Sequence, residues 1–432
     1  MTEVKSEQCS TSELDLFCLP PTQVAIEDSK WIQVNPREVN DSYSIKFEYS
    51  AGSGLYLDLA KSYISFQAKI DGAGADPNDK CGPVNNTAHS LFKQIDLEIN
   101  GQMVTTSNAF YPYESMLLLL GNYGKEAART QLELLGYSKD TAGQMDVLVL
   151  DGDNKGLKAR SEGFNTGQWR DYIMRPNLAM FQQERLLPPS TKICLNLIPS
   201  DPKFCLMTDH NNPPYKPKLK DLKLHVRVAK VNTSLALEQA RRRQEDGMKL
   251  YYPIRRLKTK PITIARGLQS HSEIISMGQI PKRFYIEMVP ESAHLGNFKK
   301  NPFNFKNYNI NEIYLSVGIN NYPSTPLTPD FTNGLVRESY MTLFSSSGIL
   351  FDDKGLDISL ADYKDGYTIF AFDLTADNND GDHLELMKRG DVQLHVRFGT
   401  ALPEAVTILA IGEYENTIQI DRFNTVIKDY MN

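Results

Sequence analysis

The chain is short of cysteine and tryptophan, shows no excess of positive charge, and contains no long apolar run. Each shortage excludes something. Cys9, Cys18, Cys81, Cys194 and Cys205 are odd in number and scattered, with no C-x-x-C pair. Neither a disulfide framework nor a zinc site is spaced this way, so free thiols are expected. The formal net charge of -6 argues against a protein whose main work is wrapping phosphates, and no specific nucleic-acid recognition is expected. The apolar stretch from Met116 to Leu120 falls far short of the roughly 20 residues that span a bilayer, so no membrane span is expected. The opening residues, Met-Thr-Glu-Val-Lys-Ser-Glu-Gln-Cys-Ser, lack the apolar centre of a secretion signal. A reducing compartment is the expectation, and the sequons at Asn40, Asn85 and Asn232 are then chance matches.

Catalytic and metal patterns are equally scarce. His89, His210, His225, His271, His294, His383 and His395 stand alone, without H-E-x-x-H or H-x-H spacing. On the alternating strands that carry them, His225 and His395 read as surface residues. There is no G-x-S-x-G elbow and no P-loop; Gly52-Ser-Gly54 and Gly72-Ala-Gly74 lack a strand-to-helix context. The stretch Asp151-Gly-Asp153-Asn-Lys155-Gly156, followed by Glu162, has calcium-loop spacing at several positions. Lys155, however, sets an ammonium where an oxygen belongs, and a solvated loop is the better reading. The acidic turn 377–382 offers at most a loose cation site. No catalytic residue, no metal and no cofactor is expected.

What the sequence does have is strand patterning. Residues 63–70 alternate cleanly, with Ile64, Phe66, Ala68 and Ile70 on one face. Residues 91–100 do the same and run into Asn100-Gly101, a pair suited to the positive φ angles of a tight hairpin. Residues 111–120 predict a short helix or buried turn. Residues 125–170 read as an insertion loop, strand-like only at 145–150. Further strands are expected at 192–198, 221–231, 261–265, 283–289, 311–318, 367–373, 391–398, 405–415 and 417–421. Asn320-Asn321-Tyr322-Pro323 reads as a turn.

Between the two β-rich halves lies one helical stretch, 232–250, with Asn232, Thr233 or Ser234 as its cap and Gly247 as its stop. Its Arg241-Arg242-Arg243 run is compatible with a nucleic-acid patch, although such runs are more often a solvated helix face.

The halves echo each other in order. Residues 95–103 match 313–321, and 113–121 match 337–345. The closer-looking pair 221–228 and 391–398 falls out of register, because keeping strand order pairs 192–198 with 392–398 instead. About eight short strands per half, with uneven connections, predict an all-β chain of two tandem eight-stranded jelly rolls, a short connecting helix and long insertion loops. The expected division is an arm at 1–30, jelly rolls at 31–232 and 251–421, a linker helix at 233–250 and a tail at 422–432. In the arm, Leu14, Leu16, Phe17 and Leu19 are too apolar for a segment meant only for water. It is expected either to dock on a partner or to pack on its own domain.

Several strings resemble a known family. They include Ser12-Glu-Leu-Asp-Leu-Phe-Cys-Leu-Pro-Pro-Thr-Gln23, His89-Ser-Leu-Phe-Lys-Gln-Ile-Asp-Leu-Glu-Ile-Asn-Gly101, Lys139-Asp-Thr-Ala-Gly-Gln-Met145 and Tyr252-Pro-Ile-Arg-Arg256. Lys300-Asn-Pro-Phe-Asn-Phe-Lys306, Asp365-Gly-Tyr-Thr-Ile-Phe-Ala-Phe-Asp-Leu-Thr375 and Glu413-Tyr-Glu-Asn416 complete the set. In order and over nearly the whole chain, these resemble the major capsid proteins of Polinton (Maverick) elements and related adintoviruses. The resemblance implies a non-enzymatic double jelly-roll subunit that forms homotrimers, pseudo-hexagonal capsomers that tile an icosahedral virion shell. It also implies neighbouring capsomers and penton or minor capsid proteins as partners. Leu14, Leu16, Phe17 and Leu19 are then the expected inter-subunit contacts. The rivals are a secreted glycoamidase on tandem jelly rolls, with acidic residues in the cleft between them, and a β-sandwich carbohydrate-binding protein.

Overall fold

The computed structural model describes residues 12–14, 16–17, 19–40, 44–72, 81–106, 108–149, 152–162, 164, 167–210, 213–376 and 383–430. In the first half the principal strands are β1 (Ile26–Val34), β2 (Ser44–Ser50), β3 (Leu55–Asp71), β4 (Phe92–Ile99), β5 (Gln102–Met103), β6 (Arg170–Met174), β7 (Lys192–Pro199) and β8 (Lys216–Val231). Helix α1 (Tyr111–Asn122) lies between β5 and β6, and α2 (Thr233–Gln244) follows β8. The second half supplies β9 (Leu250–Ile264), β10 (Ser270–Ser276), β11 (Arg283–Pro290), β12 (Ile310–Val317), β13 (Asn320–Leu327), β14 (Ile369–Asp373), β15 (Val392–Phe398) and β16 (Val406–Ile420). Helix α3 (Arg337–Ser346) lies between β13 and β14.

Each half closes two antiparallel sheets in the same order. The first has β1-β8-β3-β6 and β2-β7-β4-β5; the second has β9-β16-β11-β14 and β10-β15-β12-β13. Adding eight to every strand number of the first half reproduces the second, so the chain is a double jelly roll. The topology also settles the internal echo. β4 matches β12, α1 matches α3, and β7 matches β15, as strand order required. The 221–228 segment lies in β8, whose counterpart is β16, so its likeness to 391–398 in β15 is convergence.

Alternation builds the cores. Inward residues such as Ile64, Phe66, Leu97, Leu195 and Val226 fill the first half, while Phe284, Ile286, Met288, Phe370 and Ile408 fill the second. The sheet β9-β16-β11-β14 is buried on both faces, because Leu409, Ile411, Val289 and Ile369 on its outer side join the first half's core. That double burial explains why residues 406–411 read as a nearly unbroken apolar run.

Several local expectations need correction. Residues 145–149 are not a strand: Met145 is buried, and Asp146 is drawn off to bond Asn301 N at 2.8 Å and Asn304 Nδ2 at 2.9 Å. Leu150 lies outside the described residues. The remainder of 125–170 is partly helical, at Lys125–Ala128, Gln131–Leu135 and Lys155–Ser161. Asn320–Pro323 is no turn but the start of β13; the turn falls at Gly318, φ 59°, and the fully exposed Ile319. Segments 405–415 and 417–421 form one strand, and 261–265 is the end of a strand that begins at Leu250.

Asn232 does cap α2, accepting from Ser234 N at 3.0 Å, and Gly247 turns the chain at φ 65°. The helix itself stops at Gln244. β1 begins at Ile26, within the segment read as arm, and Val426–Lys428 pairs with β16.

Candidate assembly interface

The two halves meet along a packed seam to which α1 contributes. Pro112 in the first turn starts α1, since a missing amide costs nothing there, and the run Met116 to Leu120 gives the helix an apolar body. The helix lies over the outer face of β9-β16-β11-β14. Glu114 accepts from Thr259 Oγ1 at 2.7 Å and from Asn108 Nδ2 at 3.1 Å. Its burial nevertheless raises the carboxyl pKa. Leu117 and Leu120, 5% and 2% exposed, sit beside Leu257, Tyr285 and Ile369 around a cavity of about 150 Å³ that also touches α3.

Deeper in the seam, Glu287 of β11 is wholly buried and neither carboxylate oxygen has a hydrogen-bond partner. Desolvation pushes its pKa well above the carboxylate range. Tyr113 Oη, His294 Nδ1 and Thr407 Oγ1 are likewise buried without partners. The Tyr113 and His294 rings lie 5.9 Å apart.

The 125–170 segment clamps the halves from outside this apolar zone. Arg160 Nη2 meets Asp140 Oδ1 at 2.7 Å, with side chains 2% and 0% exposed. Asp140 also accepts from Asn301 Nδ2 at 3.0 Å, and its carbonyl takes the Tyr367 hydroxyl at 2.9 Å. Lys139 reaches Asp362 at 2.8 Å and Asp357 at 3.4 Å. At the other end Asn100 Nδ2 bonds Asn424 O at 2.8 Å, and Tyr430 Oη bonds Val104 O at 2.7 Å.

The residues singled out from sequence fall as follows. Leu14, Leu16, Phe17 and Leu19 are 69, 76, 97 and 92% exposed, all on the chain-terminal side of β1. Arg241 and Arg242 pair with Glu238 at 3.0 and 2.7 Å, and Arg243 bonds Asp421 O and Asn424 Oδ1, so intrachain partners meet the basic run. Asn154 is buried and caps Lys155–Ser161; a helix therefore follows the calcium-like spacing, contrary to the solvated-loop reading, while Asp151 and 377–382 lie outside the described residues.

His225 and His395 are not free surface residues. His225 stacks on Tyr63 at 4.5 Å and meets Ser65 Oγ at 2.8 Å; His395 stacks on Tyr314 at 4.5 Å and meets Ser316 Oγ at 2.9 Å. One cross-strand solution, a Tyr-x-Ser facing a histidine, recurs on non-equivalent strands and accounts for the convergent match.

Cys194 and Cys205 are buried free thiols, and Cys81 is buried. Among the described residues no three His, Cys, Asp or Glu side chains gather to hold a metal. Among them, too, no helix is long and apolar enough to cross a membrane. Sequence reasoning missed the seam, Glu287 above all. Its only sequence signal was a charge in the apolar part of the strand, between Ile286 and Met288.

A double-jelly-roll chain with fused halves is the fold found in viral major capsid proteins. Similar solved structures include one from the Sputnik virophage, with TM-score 0.66, 12% identity, and 99% and 93% of the two chains covered. The mavirus major capsid protein gives TM-score 0.57, 11% identity and coverage of 99% and 96%. The Faustovirus major capsid protein gives 0.57, 8%, 93% and 92%. An uncharacterised protein of Caenorhabditis elegans is 26% identical over 429 residues, covering 95% of this chain and 99% of that one. No family model matches the sequence.

Proposed function

We propose that this chain is the major capsid protein of a Polinton-type element, a structural subunit that trimerises into pseudo-hexagonal capsomers of an icosahedral virion shell. The observation that carries the reading is the pair of topologically identical jelly rolls locked by a buried seam. Two similar rigid boxes repeated three times around an axis give a nearly hexagonal outline, and head-to-tail contacts close such a ring. The near-complete coverage by capsid folds and the family strings in the sequence support it.

In this reading the first box runs from Ile26 to residue 232 and the second covers 251–421 with the tail strand Val426–Lys428 added to it, and the arm before Ile26 ties capsomers to neighbours or to penton and minor proteins. Leu14, Leu16, Phe17 and Leu19 are the arm's contacts, since four exposed apolar side chains in six positions are costly unless covered. The glycoamidase alternative needs acidic residues free in a cleft between the jelly rolls, whereas Glu114 on α1 lies in the seam, held by Thr259 and Asn108.

Mass measurement and negative-stain imaging of the purified protein test the proposal. Trimers and shells are expected, whereas a monomer at all concentrations sinks it. Deletion of residues 1–25 is expected to leave trimers that no longer form ordered shells. Normal shells from that variant would remove the arm's role.

A further inference from the structure

The cavity of about 150 Å³ beside α1 is larger than an ordinary packing gap. Protein interiors are packed to the density of organic crystals, and few of their voids exceed a water molecule. Here two helices, a sheet and a loop meet without closing on one another. Leu117 and Leu120 come from α1 in the first half, Leu257 and Ile369 from β9 and β14, Leu343 from α3, and Ile358 from the loop that follows it. All but Leu257 are no more than 5% exposed, so the wall is fixed by packing that the fold requires in any case. A cavity of this volume lined by Leu and Ile accepts a benzene-sized body.

One end of the cavity is polar. On the sheet, Leu257, Glu413 and Arg283 stand in one cross-strand row, and the charge gives way to Ile411 and Tyr285 in the row beside it. Arg283 lies between Asp373 at 3.3 Å and Glu413 at 3.7 Å, so its charge is balanced within the protein. Arg255, two residues before Leu257 and therefore on the same strand face, is exposed at the mouth. Asn122 and Gln182, both exposed, add amides to the rim. Apolar walls with a few polar groups at one end, which fix orientation, are how small-molecule sites are built.

We infer that this cavity binds a small carboxylate with a compact apolar body, a ring of benzene size or a chain of similar bulk, whose carboxylate meets Arg255 at the mouth. The head is an anion because the arginines lining the cavity outnumber Glu413, which already faces Arg283. A guanidinium offers a carboxylate two parallel N–H donors, a geometry an amide head cannot match. The bound molecule touches α1, α3 and the second sheet at once, and so braces the first half against the second. Because the site exists only when the seam is closed, the ligand favours the folded chain. The site lies within one chain, so it holds or fails independently of the capsid reading.

Calorimetry and thermal melting of the full chain test this, with phenylacetate and hexanoate as the ring and chain probes and their amides, phenylacetamide and hexanamide, as uncharged counterparts. At least one acid is expected to bind with a Kd below about 10 mM. At about ten times that Kd it is expected to raise the melting temperature by about 1–3 °C. The acid is expected to bind about fivefold more tightly than its amide, and Arg255→Gln is expected to erase that difference. Leu343→Phe sets a ring into the cavity and is expected to abolish binding of acid and amide alike. Binding by neither acid overturns the inference, as does a folded Leu343→Phe protein that binds as wild type does. Where Leu343→Phe does not fold, the exposed Arg255→Gln decides: an acid preference that survives it places the head elsewhere and overturns the inference. A monomeric protein that binds the acid upholds it while removing the capsid reading.

Discussion

Asp140 and Arg160 form an ion pair of 2.7 Å with essentially no solvent access to either side chain, and through Asn301 the pair reaches into the second half. Removing one partner of such a pair strands a charge in a dry site, at a cost of about 3–5 kcal/mol. Asp140→Ala and Arg160→Ala are each expected to lower unfolding stability on that scale in guanidinium titrations. Asp140→Asn strands the same Arg160 charge but keeps an oxygen to accept its hydrogen bond, and is therefore expected to cost less than Asp140→Ala. Equal losses for Ala and Asn would show that the hydrogen bond adds nothing beyond the lost counter-charge.

The same corner is tight in the backbone. A Cβ on Gly156 would stand 2.5 Å from Lys139 O and 2.7 Å from Asp140 N, neither of which is a yielding side chain. Gly156→Ala is therefore expected to destabilise by about 1–3 kcal/mol as an overpacked site, despite the helix propensity alanine ordinarily adds. A thermal melt that rises on this substitution would contradict the packing described.

Two buried groups set opposite pH slopes. Glu287 has a folded pKa raised by desolvation. The stability linked to it is fully present below the unfolded value of 4.5 and is lost as pH rises through the folded value. His89, with Tyr111 Oη at 2.7 Å, is pushed down by burial, and secondarily by Arg175, from 6.5 to about 3. Its contribution is present above 6.5 and is lost as pH falls toward about 3. Glu287→Gln is expected to melt higher than wild type at neutral pH, with the gap closing toward acid. His89→Phe is expected to flatten the acid limb. Parallel curves for wild type and Glu287→Gln would refute the first expectation.

The seam can be weighed by truncation. Leu117→Ala removes a nearly buried side chain between the halves and is expected to cost about 2–5 kcal/mol, less if the adjoining cavity collapses. Because the second half's sheet is buried on both faces, both halves are expected to melt together. Two separated transitions in wild-type calorimetry would be inconsistent with one continuous core.

The arm is expected to behave in the opposite way. Leu16→Asp and Phe17→Asp change residues exposed by 76 and 97%, so chain stability should move by no more than about 0.5 kcal/mol. Shell formation, followed by light scattering, is expected to fail. Unimpaired shells with both substitutions in place would assign the arm no contact role.

Strand alternation is local, and it made much of the fold legible: Ile64 to Ile70, Asn100-Gly101 with φ 51° and 80°, and the order of the repeat all hold in three dimensions. Misreadings arose where a distant partner decided the outcome. Residues 145–149 look like a strand until Asp146 is seen bonding Asn301 and Asn304, 155 and more positions away. Asn320–Pro323 has the composition of a turn, yet Gly318 makes the turn two residues earlier. The seam was not legible at all, because Glu114, Glu287 and Thr259 acquire their meaning only when α1 is laid across the second sheet.

By itself the sequence determined the class of structure: short alternating strands in two matching sets, with too little charge bias, cysteine or histidine spacing for the commonest chemistries. Periodicity of side chains along a strand is a property of the chain alone, so it survives without coordinates. Only the tertiary structure decided which faces those strands hide. Whether Leu117 is covered and Met341 is not depends on what lies opposite, and no residue records its opposite neighbour in its own identity.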